Sequence, residues 1–591
     1  MTFTFRKSAP SSCDQDPPLA VDLLFDNYTG ESNGSVTTPD GTRNFTNGLS
    51  CIDRNGNRIC WHVLPTGKPR ICTAFNAQYV DGMTSSAPGT TEDLAVTDAV
   101  QQIPASFAVA QLTAYRTARL SSQDSTERIV VLDREGCVSP EFTPPRRFWT
   151  PASGIGIGLI LKLRTTHCLD RTGADCDIAP DGSMTSGPRF HVQDRQANPP
   201  WLCTALTNAD SGSSVFDNCE VSNSFTGWTG EVPPRVVRMV NTSHFAATRV
   251  AGIVSTILRQ EADALDGNAS DLGIVSSLTA STPVTIRTNS VCCFVSIQEE
   301  EACRVSDATL EDCINRGLCD TCTTSAAGEV RLRPSTPTAL DDSAWKFSVA
   351  HEIGHAVQYR GMGRIDRPFT IGDPPNLVPP PECACDHVVG TNSLHCLQSL
   401  EDPSAAQSEG FPQYFASRAF NRPNESDCTF KYYKDFLDRT CMPGVPAAAC
   451  EAYGAGLFRT APPFSVSCLE PALWRNTHCF DDSVGADDVV TRLSVEYDWM
   501  SFFYRGSTQE TVKFSTTDLF RIYLLTCGSS SCNGKNVGWD SCANCGAGGV
   551  PSGGLVQGAQ TYFDTILRIP ALTTTFSING DIHGVSRSTQ R

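Results

Sequence analysis

From about residue 20 to 230 the chain consists of short β-type runs broken by Gly, Pro, Asn and Asp. The stretches 128–132 (RIVVL) and 159–163 (LILKL) have the aliphatic content of buried strands. A tetrapeptide recurs as Asp53-Arg54-Asn55-Gly56, Asp133-Arg134-Glu135-Gly136 and Asp170-Arg171-Thr172-Gly173. Asp followed three residues on by Gly fits a type I turn, with Asp bonding the backbone and Gly taking positive φ. The first copy lies between Cys51 and Cys60, which predicts a stapled hairpin. The oxygen-rich look of these turns does not match a complete calcium loop, so structural calcium finds no further support. One or two β-domains are expected over 21–234, after an unstructured start at 1–20.

Near residue 235 the pattern changes. Residues 243–261 place Phe245, Val250, Ile253, Ile257 and Leu258 at helical spacing. A β-type stretch follows at 284–297, then a loop with Cys303, Cys313, Cys319 and Cys322, then a short alternating strand at 329–332. Residues 342–359 read as a helix with Asp or Ser as N-cap, Gly361 just past its end, and Trp345, Val349, Ile353, Ala356 and Val357 as its apolar set. A Pro- and Cys-rich connection at 366–400 precedes a helical stretch at 405–420, where Pro412 must sit in the first turn or make a kink. Two further helices are predicted at 489–504 and 518–526, the second after a capping box at 515–518 with Asp518 in the acidic place. The Gly-rich stretch 546–558 reads as loop. The expected fold class is multidomain α+β: the β-rich region, a unit over 235–530, and a Cys- and Gly-rich segment over 531–591 packing on it.

Composition sharpens this. The chain holds 27 Cys in 591 residues, far above the usage of reducing compartments, so the expectation is a disulfide-rich protein of the extracellular space, periplasm or cell surface. Residues 1–20 show no apolar signal-peptide core, so that expectation rests on the cysteines and on the chemistry below. An odd count leaves at least one Cys unpaired or bonded to another molecule. A net charge of −18 argues against nucleic acid as the main partner. No apolar run reaches the roughly 20 residues needed to span a bilayer. Nothing in the sequence speaks to oligomeric state.

Residues 351–355 read His351-Glu352-Ile353-Gly354-His355, the H-E-x-x-H pattern, inside a predicted helix. Positions i and i+4 share one helix face, so both imidazoles can reach one metal ion. Glu352, about 100° around the helix from His351, can approach a water on that ion as general base. Zinc lowers such a water's pKa toward 7 and polarises a carbonyl, as amide hydrolysis requires. With ten His in the chain, chance yields the pattern in fewer than about two of a hundred such sequences.

A catalytic zinc needs a third protein ligand and an open position. The extended pattern with a third His is absent, because Gln358 and Gly361 occupy the places of its Gly and His. Glu382, Glu401, Glu409 and Glu425 are the downstream carboxylates to weigh, and Asp386 is a further rival. Glu409 stands out through its setting, Ser408-Glu409-Gly410-Phe411-Pro412-Gln413-Tyr414-Phe415-Ala416, at the head of an apolar helical stretch.

Here the chain resembles the gluzincin, or thermolysin-like, zincin metallopeptidases, in which H-E-x-x-H is completed by a Glu from a later helix. The resemblance covers roughly 235–525 and is specific at 351–355 and 408–416. It implies His351, His355 and Glu409 as zinc ligands, an upper α/β part whose edge strand binds extended peptide, and a lower helical part carrying the Glu. The stretch Glu329, Val330, Arg331 and Leu332 stands where that edge strand is expected, binding substrate by β-augmentation. The family's supporting Asp, four residues after the ligand Glu, is replaced by Gln413. Tyr497 and His478 are the candidates for stabilising the tetrahedral intermediate, although ordinary packing is the simpler account of either one.

The sequence therefore predicts a secreted zinc metalloendopeptidase acting on a protein or peptide substrate. The rivals are a non-catalytic binding or adhesion protein with a vestigial zinc site, and a zinc hydrolase of a non-peptide bond. The clusters Cys383-Ala384-Cys385-Asp386-His387, His395-Cys396, Cys319-x-x-Cys322 and Cys527, Cys532, Cys542, Cys545 carry ligand chemistry, but disulfide pairing explains them better among so many Cys. Vicinal Cys292 and Cys293 are expected to pair with separate partners.

Overall fold

The computed structural model describes residues 3–4, 34–38, 41–46, 49–54, 57–62, 64–65, 71–77, 79, 101–116, 125–138, 157–169, 176, 189–194, 201–202, 205–206, 223–224, 235–238, 245–266, 271–278, 283–288, 290–293, 319–324, 328–334, 345–365, 403–420, 495–508, 513–527 and 529–533. The chain divides into two compact units. One comprises 1–77, 101–186 and 198–255; the other comprises 78–100, 187–197 and 256–591. A single boundary near 235 does not describe this division. The reason lies in strand pairing: 189–194 joins in parallel with 284–288, far along the chain. The division falls inside the first helix, α1 (Phe245–Leu265).

The first unit is β-rich. Its strands β1 (Ile71–Ala77), β2 (Ala108–Arg116), β3 (Ser125–Val131) and β4 (Ile157–Cys168) cover both predicted aliphatic runs. β2 pairs antiparallel with β3 on one side and β4 on the other. Val109, Ala110, Leu132 and Leu163 are buried, and the disulfide Cys168–Cys176 packs against Val109. The Asp133 turn forms as expected: its carboxylate accepts from the amides of Glu135 and Cys137 at 3.0 and 2.8 Å, and Gly136 has φ 71°. Leu49–Arg54 and Asn57–His62 form a hairpin whose register sets Cys51 opposite Cys60. The third tetrapeptide, at 170–173, lies outside the described residues.

The second unit holds a mixed sheet of β5 (Arg189–Asp194), β6 (Val284–Thr288), β7 (Cys322–Thr324) and β8 (Glu329–Arg331), in the order β5-β6-β8-β7. The first three in that order run parallel, and β7 returns antiparallel to β8. Alternation buries Phe190, Val192, Val284, Ile286 and Val330. Disulfide Cys292–Cys322 ties β7 to the segment after β6, and the register sets Cys293 opposite Cys319, consistent with separate partners for the vicinal pair.

Its helices are α2 (Ile274–Ser277), α3 (Lys346–Gly361), α4 (Pro403–Phe420), α5 (Glu496–Thr508) and α6 (Thr516–Cys527). α3 starts later than expected. Trp345, in extended backbone and with no side-chain hydrogen bond to the helix end, replaces Asp or Ser as its N-cap. Gly361 is the last residue of the helix rather than the first beyond it, and only glycine fits there, because a Cβ would lie 2.4 Å from the Phe520 ring. α4 begins at Pro403, whose missing N–H costs nothing in a first turn. Pro412 consequently falls in mid-helix, where it deprives the Ser408 carbonyl of its helical donor. α5 begins at Glu496, with 489–494 outside the described residues. α6 carries the capping box: Ser515 Oγ accepts from the Asp518 amide at 3.0 Å, and Asp518 accepts from the Ser515 amide at 2.9 Å.

The helices meet around α4. Phe411 packs on Phe520 of α6 with ring centroids 5.4 Å apart, and Tyr414 meets Thr516 through its hydroxyl at 3.1 Å. Of the final segment, 531–533 packs on the end of α3: the Met362 carbonyl accepts from the Cys532 amide at 2.7 Å, and Asn533 Oδ1 accepts from the Arg364 amide at 2.7 Å. Cys527 and Cys532 form a disulfide.

Candidate metal centre

α3 is anchored by Val349, Ile353, Ala356 and Val357, which are fully buried and hold one side against the unit's core. That anchoring turns His351 and His355, one helical turn apart, to a common face. Their rings lie edge to face with centroids 4.8 Å apart. His355 is buried and stacks on Tyr359 at 5.6 Å, while His351 retains 14% side-chain exposure, so the pair is closed behind and open in front.

The third group arrives by packing. A Cβ on Gly354, between the two histidines, would lie 2.8 Å from the Cα of Pro412, so only glycine allows α3 and α4 to approach this closely. On the other side of α4, a Cβ on Gly410 would lie 2.7 Å from the Trp499 Cβ and 2.9 Å from the Glu496 carbonyl of α5. Glu409 is thus held between two close helix contacts at 1% exposure. Its Oε2 lies 2.9 Å from His355 Nε2 and 3.5 Å from His351 Nε2.

The ligand atoms of His351, His355 and Glu409 all fall within 4.8 Å of one another. Zinc with bonds of about 2 Å in tetrahedral geometry needs donor atoms about 3.3 Å apart. Two imidazoles and one carboxylate match that spacing to within small side-chain rotations, and they are the donor types that leave a fourth position open. The residues fit the ion.

Charge around the pair is negative. Burial alone disfavours the His351 imidazolium, but the hydrogen bond to Glu409 and the fields of Glu352, Glu409 and Glu496 outweigh it and raise its pKa above the ordinary value. The same negative field would favour a divalent cation, in competition with that proton.

Glu352 is partly buried on the neighbouring face of α3, and its carboxylate accepts a hydrogen bond from the hydroxyl of Thr323. Thr323 belongs to β7, and here the sequence reading needs correction. Glu329–Arg331 is not an edge strand, because β6 and β7 cover both of its sides; among the described residues β7 is the edge. Glu329 itself is spent in ion pairs with Arg287 and Arg331, which hold its pKa down against burial. Val330 and Leu332 are fully buried. Thr323 escaped the sequence reading because β7 has three residues, too few for periodicity. The usable signal was a β-branched pair, Thr323-Thr324, just ahead of the Gly328 turn.

Tyr497 stands in the first turn of α5 with no exposure, a position that suits packing rather than an open cleft. Gln413, in the place of the family's supporting Asp, has its Oε1 buried with no hydrogen-bond donor. His478, Glu382, Asp386, Glu401 and Glu425 lie outside the described residues, as do the clusters 383–387, 395–396 and 542–545. No helix among the described residues is long and apolar enough to cross a membrane.

Set against protein-family models, curated proteins and solved structures, the chain finds no match in any of the three.

Proposed function

We propose that the chain is a zinc-dependent endopeptidase of an oxidising, extracytoplasmic environment. The observation that carries this reading is the convergence of His351 and His355 from one helix with Glu409 from another, beside an acid on the histidine helix. His351, His355 and Glu409 would hold the ion, which when bound would polarise the scissile carbonyl and acidify water. Glu352 takes the proton from the attacking water and delivers it to the departing amine. The substrate is an extended peptide pairing along β7, whose outer edge is open among the described residues.

The test joins metal content to proteolysis. The protein is expected to carry one zinc per chain and to cleave casein. Glu352→Gln is expected to keep the zinc and lower cleavage by ~10²- to 10⁴-fold. Undiminished proteolysis by the zinc-replete variant would sink the mechanism.

A further inference from the structure

The described part of the molecule places a side chain from the sheet on the acid of the histidine helix. Register pairs Thr323 with Val330, which turns both toward the same face of the sheet, and Val330 is fully buried there. From that face the Thr323 hydroxyl reaches the main-chain carbonyl of Glu352 at 2.9 Å and also its carboxylate. A hydroxyl has one proton, so the two acceptors of Glu352 share it. The adjacent residue, Cys322, is bonded to Cys292, so the three-residue strand carrying the hydroxyl is held covalently as well as by pairing with β8.

We propose that Thr323 is a positioning residue for Glu352: its hydroxyl fixes the carboxylate from the sheet edge and links that edge to the general base. The proposal rests on the peptidase reading for its catalytic consequence, but not for the link itself. A glutamate has three side-chain torsions to restrain, and a displacement of about 1 Å at a catalytic group costs on the order of 10²-fold in rate. A peptide pairing with β7 would also lie next to the residue that holds the base, so that occupation of the edge and orientation of Glu352 are coupled.

Thr323→Val is the informative change, because valine keeps the branched shape a strand prefers and removes only the hydroxyl. With zinc content unchanged, kcat on a peptide substrate should fall ~10- to 100-fold while KM stays within about threefold. Thr323→Ser should restore kcat to within about threefold. The link has a second readout that needs no activity, a double-mutant cycle in thermal unfolding of the metal-free protein. Thr323→Val should lower Tm by about 1–2 °C alone and by less than half as much in a Glu352→Ala background. Wild-type protein that binds zinc but cleaves no peptide counts against the peptidase reading, while coupling in the cycle still upholds the link. An unchanged kcat in active enzyme, or equal Tm losses in both backgrounds, overturns the proposal.

Discussion

Two buried glutamates in the same unit have opposite surroundings. Glu409 and Glu261 are each 1% exposed. Glu261, on α1, accepts backbone amides: that of Val275 at 3.0 Å and that of Leu272. Beside it, Asp271 accepts from the amides of Gly273 at 3.0 Å and Thr517 at 3.1 Å, tying the α2 turn to the start of α6. Burial and the neighbouring Asp271 push the Glu261 pKa up to about 7, against the pull of those amides. Glu409 meets instead two imidazole nitrogens of the neighbouring helix. Burial is common to both, so burial is no mark of function. The partners are: amides hold a loop, whereas imidazoles converging with a carboxylate are a donor set that suits a cation.

The largest effect expected to sharpen this contrast is on metal. Glu409→Gln should weaken zinc binding by more than ~100-fold with the fold intact, whereas Glu261→Gln should leave zinc affinity unchanged; titration of the metal-free proteins with zinc checks both. Equal affinities would erase the distinction. Next comes packing: Gly410→Ala forces a Cβ against Trp499 and the Glu496 carbonyl, and should cost about 2–3 kcal/mol in urea unfolding, with weakened zinc binding because Glu409 moves with its neighbour.

The pH dependence of stability is the third. Glu261 has a folded pKa of about 7 against an ordinary 4.5, so between those values the folded state keeps a proton that the unfolded chain releases. Its stabilising contribution is therefore full below about pH 4.5 and is lost as pH rises through 7. The loss is about 3 kcal/mol between pH 4.5 and 8. Glu261→Gln should flatten this part of the curve while costing about 1–2 kcal/mol at pH 5 through a mismatched amide contact. Urea titrations of both proteins at pH 5 and 8 test it, and identical pH slopes would refute the assignment. Smallest in reach is the staple beside β7: replacing Cys322 with Ser should cost about 3 kcal/mol or less, visible in the same titrations, and make cleavage more sensitive than zinc content.

What the sequence revealed of the site follows from how local each relation is. His351, Glu352 and His355 are legible because one metal needs donors at i and i+4 of a helix, a spacing written in consecutive residues. Glu409 was legible only through its setting and the resemblance, since its approach to His355 depends on glycines at 354 and 410 meeting other helices. The edge strand lies one hairpin arm before the one the pattern marks: 329–332 shows alternation, while its partner β7 is short and embedded among cysteines. Glu261 carries no mark in the sequence, because a buried carboxylate satisfied by distant backbone amides leaves no local pattern. For the fold, aliphatic runs marked β3 and β4 correctly, but the parallel pairing of β5 with β6 across some 90 residues has no signature in either strand alone.

The account turns on one ion bound by two helices. Anomalous diffraction from zinc-soaked crystals tests that directly. A single strong peak is predicted about 2 Å from the Nε2 atoms of His351 and His355 and from a Glu409 carboxylate oxygen. A peak that omits Glu409, or no peak with Glu409 still on His355, would contradict it.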